Sequence, residues 1–253
     1  MSSLSAAYKG ELTKLLRRKK YIVFLIIGVV ICTATALLGN FLSGIIGRQT
    51  QALIPLLAPT PMGTLPFFLQ FLVPLLIFMS LTDLITAESA EHTMKAMLCR
   101  PVERWKLYSG KLLAVMSYTA IYLAAVFAVS TVLNQFLGRP LGAAELSLAL
   151  ASYALTLPPL AVLASFAALI ALNGRSATLT MFILVFVYLL LSLLPVVFPV
   201  FSELLFTSYL GWYRLWIGAL PGASRLIHML IIVLGYGVVF FTAGSLVFEK
   251  KEY

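Results

Sequence analysis

The sequence predicts an all-α integral membrane protein of six transmembrane helices with both termini cytoplasmic. An N-terminal interfacial helix and a further cytoplasmic helix between spans two and three complete the plan. Three observations carry this. Of 253 residues, 61% are hydrophobic and 11% charged, whereas a soluble domain has about 25% charged residues; the mean hydropathy is +1.02. Six stretches contain no Asp, Glu, Lys or Arg: Tyr21–Gly39, Met62–Thr82, Leu112–Leu137, Leu146–Leu172, Ala177–Phe201 and Leu226–Phe248. Each is close to or beyond the roughly 20 residues that cross a bilayer, and each is continuously apolar rather than alternating, as a helix and not a barrel strand requires. Finally, the basic residues fall mainly on one side.

Span one follows a basic run, Arg17-Arg18-Lys19-Lys20. With that run inside, 14 of the 18 Lys and Arg residues are cytoplasmic, and only Arg48, Arg139, Arg214 and Arg225 are external. This is the positive-inside pattern, and it makes the formal charge of +9 an orientation signal rather than a nucleic-acid footprint. Ala34-x-Ala36 mimics a signal-peptidase site. The basic leader and apolar run are both too long for a signal peptide, so the segment reads as a retained span. Two cysteines, Cys32 and Cys99, exclude a disulfide scaffold and lie in different compartments.

Within residues 1–20, Leu4, Tyr8, Leu12, Leu15 and Leu16 recur at helical spacing. An amphipathic helix lying on the inner leaflet is expected. Residues 49–66 carry four prolines and read as irregular external structure. The cytoplasmic loop 83–111 contains Ala87, Ala90, Met94, Met97 and Leu98 on one helical face, with Glu91 and Lys95 an i, i+4 pair. Pro101 ends that helix. Span four presents Ala161, Ala164, Ser165, Ala167, Ala168 and Ala171 for close packing and is kinked at Pro158-Pro159. Residues 202–225 are too aromatic for water yet interrupted by Glu203, Arg214 and Pro221, so an interfacial or re-entrant helix is expected.

Chemistry is sparse. The six apolar cores hold no ionisable residue except His228, near the outer end of span six. Ion-coupled or catalytic membrane proteins place such groups inside their spans. Ser224 lies one turn from His228, without an oxyanion-hole motif. His92 with Glu88 and Glu91 is too sparse for a metal site, and Gly110-Lys111 lacks the glycines of a P-loop. No catalytic, cofactor or metal residue is assigned. Energy for active transport would have to come from another polypeptide, acting through the cytoplasmic loop.

That loop resembles a family. Glu88, Glu91, Thr93, Met94, Lys95, Leu98, Arg100, Pro101, Arg104 and Lys111 follow the pattern of the ATP-binding cassette (ABC) type-2 permeases. The pattern is an acidic residue, a Gly-Thr-hydrophobic-Lys stretch, a Leu-rich turn, a Pro-hydrophobic-x-Arg step and a Lys opening span three. His92 replaces the usual Gly, and Cys99 stands where Ser is common. Glu11-x-x-Lys14 before the first span also looks like the family's start, and the six-span layout covers essentially the whole chain.

The resemblance implies a permease subunit, not itself an enzyme, in the bacterial cytoplasmic membrane. It would pair with a second copy or a related permease, and two separate ATPase subunits would bind ATP and Mg. Glu88, Glu91, His92, Met94, Lys95, Met97, Leu98, Arg100 and Pro101 would form the coupling helix seated on the ATPase. Most of the family exports, along a path between spans two and five. Phe71, Phe78, Phe182 and Phe186 are candidates for that path, against core packing or lipid contact. Membrane lipids are the other partners expected, and no nucleic acid is. The alternative is a membrane-embedded substrate-binding or regulatory scaffold subunit without its own transport cycle.

Overall fold

The computed structural model describes residues 3–46, 60–91, 103–137, 141–216 and 223–251. These residues are helical throughout, with no strand among them. In order they form α1 (Ser3–Arg17), α2 (Lys19–Ile46), α3 (Pro61–Ala90) and α4 (Arg104–Phe136). There follow α5 (Ala143–Leu155), α6 (Leu157–Asn173), α7 (Ala177–Val197), two 3₁₀ helices (Pro199–Ser202 and Phe206–Trp216) and α8 (Ala223–Lys250). With α5 and α6 counted as one kinked rod, six helices are long and apolar enough to cross a membrane.

The centre of the bundle is α3 with the α5–α6 rod. In each, 61% of the most apolar stretch is buried, against 17% in α7 and 11% in α8. The small residues of α6 explain the close approach of α8, since Ala164, Ala167, Ala168 and Ala171 are all buried. By contrast α2, α7 and α8 present rows of apolar side chains outward, including Ile26, Leu190 and Val238. Such surfaces suit lipid or another apolar helix.

Three helices contain prolines whose missing N–H leaves a carbonyl four residues earlier without its helical donor. At three of these breaks a side chain from elsewhere donates instead. For Pro74 of α3 the orphan is the Gln70 carbonyl, and Tyr188 Oη of α7 donates to it at 3.0 Å. For Pro159 of α6 it is the Leu155 carbonyl, which accepts from the Trp212 indole N–H. For Pro195 of α7 it is the Leu191 carbonyl, which accepts from Thr207 Oγ1 at 3.2 Å. In an apolar medium without water these carbonyls need protein donors. The second 3₁₀ helix supplies two of the three.

Three expectations change in detail. Span two was expected to stop at Thr82, but α3 continues to Ala90 through a π-helical stretch, Thr82–Ala87. Asp83 and Glu88 are therefore buried residues of the span-two helix rather than the start of the connecting loop. The helix at the N-terminus does form, and part of its apolar side faces protein: Leu15 is fully buried and Leu12 and Tyr8 pack on the core, while Leu16 is exposed. Gly110 makes this possible, since a Cβ there would lie 3.2 Å from Ala7 Cβ and 3.3 Å from Tyr8 N. Span five ends at Val197 rather than Phe201, with Pro199 opening a 3₁₀ turn instead.

Candidate functional site

Every buried charged side chain among the described residues, namely Glu11, Asp83, Glu88 and Lys111, lies at one end of the bundle. That end also carries α1 and the C-terminal turn of α8, and is called the basic end below. Lys111 opens the apolar stretch of α4 and is fully buried. Its ammonium meets Glu88 Oε2 at 2.6 Å, the Leu84 carbonyl at 2.8 Å and Glu11 Oε1 at 3.3 Å. The π-helical stretch of α3 breaks the regular i→i−4 ladder there, which leaves the Leu84 carbonyl available to Lys111.

Lys14 closes the cluster from the rim, 3.1 Å from Glu11 and 2.9 Å from Glu88. Two ammoniums and two carboxylates thus neutralise one another across α1, α3 and α4. Such a group is tolerated inside a protein only when fully paired. Burial pulls the Lys14 ammonium down, but the Glu88 hydrogen bond and the Glu11 charge outweigh it and hold its pKa above the ordinary value.

A second knot lies beside the first. Asp83 Oδ2 accepts from Tyr21 Oη at 2.5 Å and pairs with Lys20 and with Arg18, the latter at 3.5 Å. Tyr118 Oη donates to the Tyr21 carbonyl at 2.9 Å. On the far flank, Arg104 donates to the Glu249 and Lys251 carbonyls at 2.7 and 3.1 Å, capping the negative end of α8. Lys251 in turn donates to the Leu172 carbonyl at the end of α6.

These contacts join the helix ends that flank residues 92–102. Of the candidate coupling residues, Glu88 is inside the cluster and Glu91 is exposed at the end of α3. His92, Met94, Lys95, Met97, Leu98, Arg100 and Pro101 lie outside the described residues. Of the candidate path residues, Phe78 is buried edge-on to Tyr188, with centroids 5.6 Å apart. Phe71, Phe182 and Phe186 face outward instead, at 55%, 70% and 63% exposure. The four do not share one surface.

At the opposite end, residues 206–214 alternate two buried positions with one more open, a period of three. In a 3₁₀ helix residues i and i+3 eclipse, so Phe206, Tyr209 and Trp212 form one buried column and Thr207, Leu210 and Tyr213 another. The third column, Ser208, Gly211 and Arg214, borders two cavities of about 260 and 470 Å³. The larger also holds Glu203 and the exposed His228. The expected interfacial helix is thus a 3₁₀ cap on the bundle. Its period-three polarity was the readable signal.

Residues 21–253 match the family described as "Protein of unknown function (DUF2705)". No curated protein matches the chain.

Proposed function

The chain belongs to the DUF2705 family, and we propose that it is the permease subunit of an ATP-driven ABC exporter. It works with a second permease, identical or related, and with two separate ATPase subunits that bind ATP and Mg. Its basic end faces the cytoplasm of a bacterial cell, consistent with the skew of Lys and Arg.

The observation that carries this reading is how the helices on either side of segment 92–102 are tied together. The segment bears the motif that resembles the type-2 coupling helix; Glu88 lies in the last turn of α3 before it, and Lys111 two turns into α4 after it. Those two residues are joined inside the bundle at 2.6 Å, and both contact α1. Arg104 ties the same entrance to α8. A force arriving at the end of α3 or the start of α4 is therefore shared among α1, α3, α4 and α8. ATPase subunits that close on ATP would move the segment as a body and switch the spans between inward and outward access.

The remaining groups follow from that cycle. Glu91, exposed beside the cluster, and Met94 are contact residues for the ATPase; Glu88 acts from inside, as a positioning residue. Phe182 and Phe186, one turn apart on α7, and Phe71 on α3 are outward aromatic side chains available to a second permease or to cargo. Copurification tests the reading: an ABC ATPase encoded beside this chain should form a stable complex with it. That complex should weaken on Glu91→Ala or Met94→Asp. Absence of any complex with the loop intact would overturn it.

A further inference from the structure

We propose that the smaller cavity beneath the second 3₁₀ helix binds an oxyanion carried by an amphiphile, with Arg214 as its anchor. It lies at the end opposite the basic cluster and does not depend on an ATPase, so it stands for a transport subunit and a binding subunit alike.

The cavity of about 260 Å³ is walled by Gln70 of α3, Tyr188 and Ser192 of α7, and Thr207, Ser208 and Arg214 of the cap. Arg214 is its one formal charge, and no carboxylate lines it. Arg214 makes no ion pair among the described residues. Its Nε reaches Tyr213 Oη at 3.4 Å, and its guanidinium lies 6.0 Å from the Tyr213 ring. That leaves the two terminal nitrogens, the fork that binds phosphate or carboxylate through parallel hydrogen bonds.

Neutral donors share the lining. The Gln70 carboxamide and Ser208 hydroxyl form no side-chain hydrogen bond among the described residues. Tyr188 and Thr207, in contrast, spend their protons on the Gln70 and Leu191 carbonyls. Thr207 and Trp212 fasten the cap to two of the proline breaks, and Tyr188 ties α7 to the third. The walls are therefore set before any ligand arrives, as binding sites generally are.

Size and surroundings select the ligand. At about 30 Å³ per water, the cavity holds roughly nine waters, close to a glycerol phosphate. Apolar side chains flank it on the outside of the bundle, with Phe71 next to Gln70 and Leu193 next to Ser192. An acyl chain would lie there while the headgroup occupies the cavity. The larger cavity is a poorer anion site because Glu203 lines it.

Native mass spectrometry on the purified full chain tests this with two probes. Dioleoyl phosphatidylglycerol should be retained as one saturable adduct and dioleoyl phosphatidylcholine should not. Arg214→Gln should weaken retention at least tenfold, whereas Arg175→Gln, exposed at the basic end, should leave it unchanged. Ser208→Phe, which fills the cavity mouth from an exposed position, should also abolish it. Calorimetry with glycerol phosphate separates the sources: Arg214-dependent binding of the free ester would make it a soluble-anion site, and its absence would require the lipid. Equal retention of phosphatidylglycerol by wild type, Arg214→Gln and Ser208→Phe would overturn the assignment.

Discussion

Lys111 Nζ lies 2.6 Å from Glu88 Oε2, and these two residues, 23 apart in sequence, bracket the segment that joins α3 to α4. Both are buried, and both reach the N-terminal helix through Glu11 or Lys14. Four helical segments, with α8 joined through Arg104, therefore converge around one connection.

The pair should show the asymmetry of buried charges. Glu88→Gln or Lys111→Met alone leaves an uncompensated ion and should cost roughly 3–5 kcal/mol. The double variant Glu88→Leu/Lys111→Met leaves Glu11 with Lys14 and should recover most of that loss. Heat denaturation of the three variants in one detergent measures both effects.

Docking of α1 depends on the absence of a side chain at position 110. Gly110→Val places atoms against Ala7 and the Tyr8 backbone and should lift α1 from α4. Leu15→Cys, buried in the docked helix, should resist a water-soluble maleimide on a Cys99→Ser background. It should react once Gly110→Val is added.

The Lys14 contribution has a definite pH window. Its folded pKa is raised above 10.5. The stabilisation is therefore complete below pH 10.5 and is lost as pH climbs through the higher folded value. Between pH 6 and about 9, the maleimide reactivity of Leu15→Cys, corrected for thiol ionisation, should stay flat. It should rise only under stronger alkali, and Lys14→Met should remove that step.

At the opposite end, Trp212→Phe keeps the ring but withdraws the donor from the Leu155 carbonyl. An unmet buried carbonyl costs about 1–3 kcal/mol. Pro159→Ala restores a backbone N–H four residues after Leu155 and should rescue much of the deficit. Thermal midpoints of the single and double variants decide it.

The six spans were legible because continuous apolar runs admit few other structures, and the alanine face of α6 was legible from its spacing. The Glu88–Lys111 pairing was not. It requires α3 to run eight residues past its apolar stretch, and only tertiary partners for Asp83 and Glu88 make that continuation favourable. The basic stretch before α2 reads as an orientation signal in sequence, yet Arg18 and Lys20 also hold Asp83. The aromatic content of residues 206–216 showed that a helix forms there but not that it is 3₁₀. The spacing of Ser208, Gly211 and Arg214 carried the better clue.

ATP turnover measures the central claim most directly. Liposomes containing this chain, together with the ATPase encoded beside it and any partner permease, should hydrolyse ATP faster than the ATPase alone. Met94→Asp or Glu91→Ala should return turnover to the unstimulated rate while the chain stays folded. Turnover that is indifferent to the chain, or unchanged by both substitutions, would contradict the account.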